Sequence, residues 1–165
     1  MQRYMEHNND VSDVRYRNFV SPITDSVLKN FSKVDKGLDY GGGTGPVIAE
    51  VLKEKEYDIS VYDPYFHYFP ELLAQKYNYI ACCEVIEHFY YPYFEFAELK
   101  KIIEPNGMLI CMTDLYYDEI DFDVWNYKDD PTHVFFYSKY SFDFIKKSIG
   151  FKKVVINGRL IEFYL

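Results

Sequence analysis

Positive charge is what this sequence most conspicuously lacks. Eighteen Lys and Arg stand against 26 Asp and Glu, a formal net charge of −8, so no basic face is available to neutralise a phosphate backbone. That balance argues against DNA as a partner, makes RNA less favoured, and points to a small or neutral acceptor molecule. Long apolar runs are missing as well. No stretch approaches the roughly 20 residues of a membrane span, and Met1–Asp10 is polar throughout, without the apolar core of an export signal. Neither a membrane nor export is expected. Cysteine is scarce: Cys82, Cys83 and Cys111 sit in apolar runs rather than at metal-ligand spacings, and their odd number gives no disulfide framework. A reducing cytoplasm is the expected compartment. No repeat, low-complexity tract or Gly/Ser linker divides the chain, so residues 1–165 read as one domain, a helical preface or lid over 1–35 and an α/β core over 36–165.

What the chain does have is apolar and aromatic substance, 48% hydrophobic residues with 18 Tyr and 14 Phe, enough for one substantial core at this length. Apolar residues recur at helical spacing over 13–20 and Pro22–Phe31, with Ser21 as the expected N-cap and Pro22 at the first helical position. Strands are expected at Lys36–Tyr40, Asp58–Tyr62, Tyr79–Cys83 and Met108–Thr113. Helices are expected at Val47–Lys55, Tyr93–Ile103 and Ser138–Ser148, with a short one around Glu71–Lys76. Glu104–Gly107 reads as a turn, and Lys152–Tyr164 as a hairpin around Asn157-Gly158. The alternation predicts an α/β fold with a largely parallel sheet and an antiparallel last strand.

The most telling stretch is Gly37-Leu-Asp-Tyr-Gly-Gly-Gly-Thr-Gly-Pro46, where an apolar strand ends in an acid and turns through glycines into a helix. Gly41, Gly43 and Gly45 permit positive φ and close backbone approach to a ligand, and the N–H groups of the helix start face it. The spacing departs from two common cradles. A dinucleotide fingerprint needs a small residue where Pro46 stands, and a P-loop needs Gly-Lys-Ser/Thr where Gly45 is followed by Pro46-Val47. The second predicted strand then ends at Asp63, 22 positions after Gly41, where an acid can accept hydrogen bonds from both hydroxyls of a ribose.

The acid-x-Gly-x-Gly-x-Gly pattern of Asp39, Gly41, Gly43 and Gly45 resembles motif I of class I S-adenosylmethionine-dependent methyltransferases. The resemblance implies a Rossmann-like sheet in the order 3-2-1-4-5-7-6, with Asp39, Gly41, Gly43, Gly45, Asp63 and Glu84 at the cofactor. Too little chain separates Asp63 from Tyr79 for another strand and crossover, so edge strand 3 is expected to be missing. The loop that follows it and helps hold adenine would go with it; Tyr65–Phe69 is the stretch in which to seek a replacement.

Directly after the third predicted strand comes Cys83-Glu-Val-Ile-Glu-His-Phe89. Glu84, Glu87 and His88 fall at i, i+3 and i+4 and would share one face if this turn were helical. Two carboxylates and an imidazole suit a hard or borderline divalent cation, and a second imidazole, His133, precedes the helix expected at Ser138. Glu-x-x-Glu-His is similar to the corresponding motif of ubiquinone-pathway O-methyltransferases and of the methyltransferases that modify the 3′-terminal ribose of small RNAs. Over nearly the whole chain, Tyr62–Tyr65, Glu84–Phe89 and Asp130–Tyr137 resemble a group of short bacterial methyltransferase-like proteins. These likenesses imply Glu84, Glu87, His88 and His133 as ligands of Mg²⁺ or Mn²⁺, with His88 and His133 as catalytic groups in methyl transfer to a hydroxyl oxygen. The alternative is a catalytically silent module that binds S-adenosylmethionine or a nucleotide.

Overall fold

The computed structural model describes residues 11–165. The first helix, α1 (Val14–Asn30), is capped by Asp13, whose side chain accepts from the Arg15 N–H. The two helices expected here are thus one, and Ser21 is no cap, because Pro22 lies inside the helix. The buried stripe Val20, Ile23, Thr24 and Val27 runs unbroken past Pro22. Packing of that stripe on the sheet outweighs the hydrogen bond that proline removes.

Then follow β1 (Lys36–Tyr40), α2 (Val47–Lys53), β2 (Asp58–Tyr62), a 3₁₀ turn over Pro70–Ala74, β3 (Tyr77–Cys83), α3 (Pro92–Lys101), β4 (Ile103–Met112), α4 (Lys139–Ile149), β5 (Lys153–Asn157) and β6 (Leu160–Tyr164). They form one six-stranded sheet in the order β2-β1-β3-β4-β6-β5. The first four strands pair in parallel, and β6 runs antiparallel to both β4 and β5. Among the described residues no strand lies outside β2, so β2 is an edge, as the short connection to β3 requires. The expected turn at Glu104–Gly107 sits inside β4, as a wide register shift that sets Ile103 against Tyr77 and Met108 against Tyr79. The hairpin turn falls one residue later than its sequence suggested, on Gly158 and Arg159, since Asn157 still pairs with Leu160.

Both sheet faces are covered. Leu38, Ile80, Cys82, Leu109, Cys111, Ile161 and Phe163 point to the layer of α3 and α4, and Tyr79, Ala81, Met108 and Ile110 to that of α1 and α2. Strands buried on both sides read as continuous apolar runs. On the α1/α2 side the Tyr79 ring crosses Gly37, where any Cβ would overlap it. The cysteines are free thiols. No helix among the described residues is long and apolar enough to cross a membrane.

Candidate active site

The carboxyl ends of β1, β2 and β3 converge on one cavity of about 600 Å³, where open α/β sheets place their ligands. At the end of β1 the Gly41 N–H donates to the Tyr62 carbonyl at 2.7 Å. Gly41 has φ +82° and Gly43 φ +63°, conformations an L side chain resists. A Cβ on Gly41 would lie 2.5 Å from a Val85 methyl, so the glycine also lets the loop after β3 close over the first loop. The Asp39 carboxylate, buried beneath, accepts from the Ala49 N–H at 3.2 Å and ties strand to helix. Burial pushes its pKa up to about 7, against the lowering by that hydrogen bond.

Asp63 serves the backbone. One of its oxygens accepts from the N–H groups of Tyr65 and Phe66 at 2.8 and 3.0 Å, and the other from Gly43 at 3.0 Å. With about four lone-pair sites on a carboxylate, a single position remains, on the oxygen that holds Gly43. The two ribose hydroxyls expected to share this side chain would meet a carboxylate already three-quarters engaged.

After β3 the chain does not continue as a helix. Glu84 adopts φ +51° and only Ile86–His88 form a short 3₁₀ turn, so the common face expected for Glu84, Glu87 and His88 is broken. Glu84 turns to Arg159 of the hairpin loop, whose guanidinium donates to it at 2.7 Å. Its other oxygen is buried without a hydrogen-bond partner. Burial, and after it the charge of Glu87, pushes the Glu84 pKa up to about 8 in spite of Arg159. Arg159 also lies over the Phe19 ring, 5.1 Å from its centroid, and so joins α1 to the site.

Glu87 is fully buried. Tyr127 donates to one of its oxygens at 2.6 Å and Thr113 to the other at 3.1 Å, yet burial keeps its pKa raised. Its backbone carbonyl accepts from Val134 and Phe135 at 2.9 and 3.1 Å. Those bonds hang the segment around His133 beside the loop after β3, across 46 residues of sequence, and bring the His88 and His133 rings to 5.0 Å between centroids. The Nδ1 atoms of both bond to backbone carbonyls, His88 to Thr132 at 2.8 Å and His133 to Tyr127 at 2.7 Å. A carbonyl only accepts, so each Nδ1 carries the proton, and Nε2 of the neutral ring is the nitrogen with a lone pair. Glu87, His88 and His133 each offer one ligand atom within 4.8 Å of the others. Glu84 is not in that group.

His88, His133, Glu84, Asp63 and the Gly41–Gly45 loop line the same cavity, together with Tyr16 and Phe19 of α1. Its other lining acids are Asp39, Glu95 and Asp130, and no Lys or Arg lines it among the described residues. Arg159, Tyr127 and Thr113 carry no signal in the sequence. Arg159 is one of two residues in a tight turn, Tyr127 one of eighteen tyrosines, and their roles depend on contacts distant along the chain.

The sheet order, the glycine loop at the end of β1 and the acid at the end of β2 define a Rossmann-like α/β protein of the class I methyltransferase type. The methyltransferase domain family model matches residues 6–155, and the chain belongs to that family. Among solved structures it is similar to a SAM-dependent methyltransferase from Archaeoglobus fulgidus, with TM-score 0.67 and 16% identity over 84% of this chain and 71% of that one. An O-methyltransferase family protein from Burkholderia thailandensis gives TM-score 0.63 at 13% identity, over 93% of this chain and 60% of that one. Human N-acetylserotonin methyltransferase, solved in complex with SAM, gives TM-score 0.63 at 12% identity, over 90% of this chain and 53% of that one. The chain thus spans little more than half the length of the last two. No curated protein sequence matches it.

Proposed function

We propose that this protein transfers a methyl group from S-adenosylmethionine to a hydroxyl oxygen of a small, uncharged or cationic acceptor. The observation that carries the reading is the pair of imidazoles with proton-bearing Nδ1 atoms bonded to carbonyls, lining one cavity with the glycine loop and Asp63. The residues suit the cofactor. The loop has the backbone freedom to meet it, Asp63 keeps one acceptor position, and the unpartnered oxygen of Glu84 offers a buried hydrogen-bonding position to the ligand. S-Adenosylmethionine supplies a methyl on a positively charged sulfur, which a cavity lined by acids, with no Lys or Arg among its described lining residues, favours electrostatically.

The protein's own part is to align the acceptor and take its proton. A hydroxyl is a poor nucleophile at neutral pH, and Nε2 of His88 or His133 is placed to receive that proton, with Nδ1–H holding each ring at a fixed angle. Glu87, next to both rings, stabilises the imidazolium that results. The same Glu87, His88 and His133 have the donor chemistry for Mn²⁺ or Mg²⁺. Such an ion would lower the pKa of a hydroxyl beside it.

Calorimetric titration of S-adenosylhomocysteine, with and without Mn²⁺, into the wild-type protein and the His88→Gln/His133→Gln variant tests this. Saturable binding to both, with Mn²⁺ binding confined to the wild type, is the expected result. Absence of binding to the wild type removes the cofactor reading. Binding without methyl transfer to any hydroxyl acceptor, and with an unaltered response in the variant, would favour a silent binding module.

A further inference from the structure

Glu95 is the one lining acid whose carboxylate has no hydrogen-bond partner among the described residues. It stands in the first turn of α3, half-buried, its N–H bonded to the Tyr91 carbonyl, and its carboxylate makes no hydrogen bond or ion pair with a described residue although it lines the cavity. Asp39, Asp63, Glu84 and Asp130 are all engaged: with Ala49, with Gly43 and Tyr65, with Arg159, and with Thr132. A carboxylate partly withdrawn from water is stabilised by a hydrogen-bond donor brought to it. Burial raises the Glu95 pKa, with the nearby charge of Glu98 adding to the effect.

Its place indicates what would satisfy it. Glu95 lines the same cavity as Asp63 and Tyr40, and the charges of both acids act on the hydroxyls of Tyr40 and Tyr62. The walls there are rings: Tyr40 packs on Tyr62 at 5.5 Å and meets Phe89 edge-on at 6.5 Å between centroids. Tyr65 and Phe66 follow Asp63 directly and line the same cavity. A flat, apolar-faced group carrying an N–H donor fits a slot with ring walls and one acceptor. A purine attached to a ribose held at Asp63 is such a group. No strand lies outside β2 among the described residues, so no loop following such a strand supplies the acceptor there, and Glu95 is the lining residue that α3 contributes.

We propose that Glu95 reads the exocyclic amine of the cofactor's adenine, so that α3 supplies the base recognition for which the sheet has no further strand. This rests on the S-adenosylmethionine reading above. The test compares S-adenosylhomocysteine with S-inosylhomocysteine, in which a carbonyl oxygen replaces the amine, by calorimetry on the wild type, Glu95→Gln and, as a control on the same helix, Glu98→Gln. The wild type and Glu98→Gln should prefer the adenosyl compound by about tenfold or more, because the inosyl oxygen would face a carboxylate that can only accept. In Glu95→Gln, whose amide both donates and accepts, that preference should fall to within about threefold. An adenosyl preference of equal size in Glu95→Gln and wild type would overturn the assignment while leaving the cofactor reading intact, as would equal binding of the two compounds by the wild type. Binding of neither compound by the wild type would overturn both.

Discussion

Neighbouring carbonyls fix the tautomers of His88 and His133, and the proposed role of the two rings as proton acceptors depends on it. Replacing either with alanine should cost about 10²–10⁴ in single-turnover methyl transfer, the range for loss of a general base, and leave S-adenosylhomocysteine affinity within about twofold in the same preparations. Asp39 and Glu84 make a different prediction, in pH. Their folded pKa values are raised to about 7 and about 8 from 3.8 and 4.5. Stabilisation from their protonated forms is complete below about pH 4 and is lost as pH rises toward 8. Thermal midpoints of the ligand-free protein should therefore fall between pH 5.5 and 8.5. Affinity for the cationic cofactor should rise over the same interval, as the two acids ionise, and calorimetry at both pH values checks the pair of trends. The residue types at this site were legible in the chain, since Glu-x-x-Glu-His and His133 stand out from their surroundings. That Glu84 stands outside the group of Glu87, His88 and His133 was not, because it follows from a single left-handed residue and from Arg159, which lies 75 positions away.

At the scale of elements, two turns of backbone carry the argument. Gly41→Ala would force a side chain into φ +82° and against Val85. It should destabilise the protein by about 1–3 kcal/mol and weaken S-adenosylhomocysteine binding more than Gly158→Ala, which also strains a positive φ, +57°, but meets no neighbouring atom and lies outside the glycine loop. Denaturant titration and calorimetry on the two variants separate stability from binding. In α1, Pro22→Ala should raise stability by about 1–3 kcal/mol, the cost of an interior proline relative to alanine, visible as a higher thermal midpoint. Strand and helix positions follow closely from local periodicity. The exceptions share a cause: the merged α1 and the early start of β4 are places where packing against the sheet overrides a proline or a turn signal that looks decisive in isolation. Ser138 and Gly150, by contrast, end α4 as their chemistry dictates, through a capping box with Ser141 and a left-handed C-cap.

For the whole molecule, stability rests on the two layers packed against one sheet. Phe163 of β6 is fully buried, with Phe96, Phe142 and Phe151 at 5.5, 5.7 and 4.8 Å between ring centroids. Phe163→Ala should cost about 3–5 kcal/mol, measured by denaturant unfolding, and the loss would reach the site through the hairpin that holds Arg159. The parallel sheet, the antiparallel strand β6 and the missing edge strand were all readable along the chain, because each depends on segment lengths, turn residues and apolar runs. The glycine loop and Asp63 were readable for the same reason, as neighbours in sequence of the strands that carry them. What only the folded chain decided is which side chains share one space. Burial withdraws Asp63, Glu84 and Glu87 from water, so the backbone, Arg159, Tyr127 and Thr113 supply their hydrogen bonds, while the half-buried Glu95 lines the cavity with no side-chain partner among the described residues.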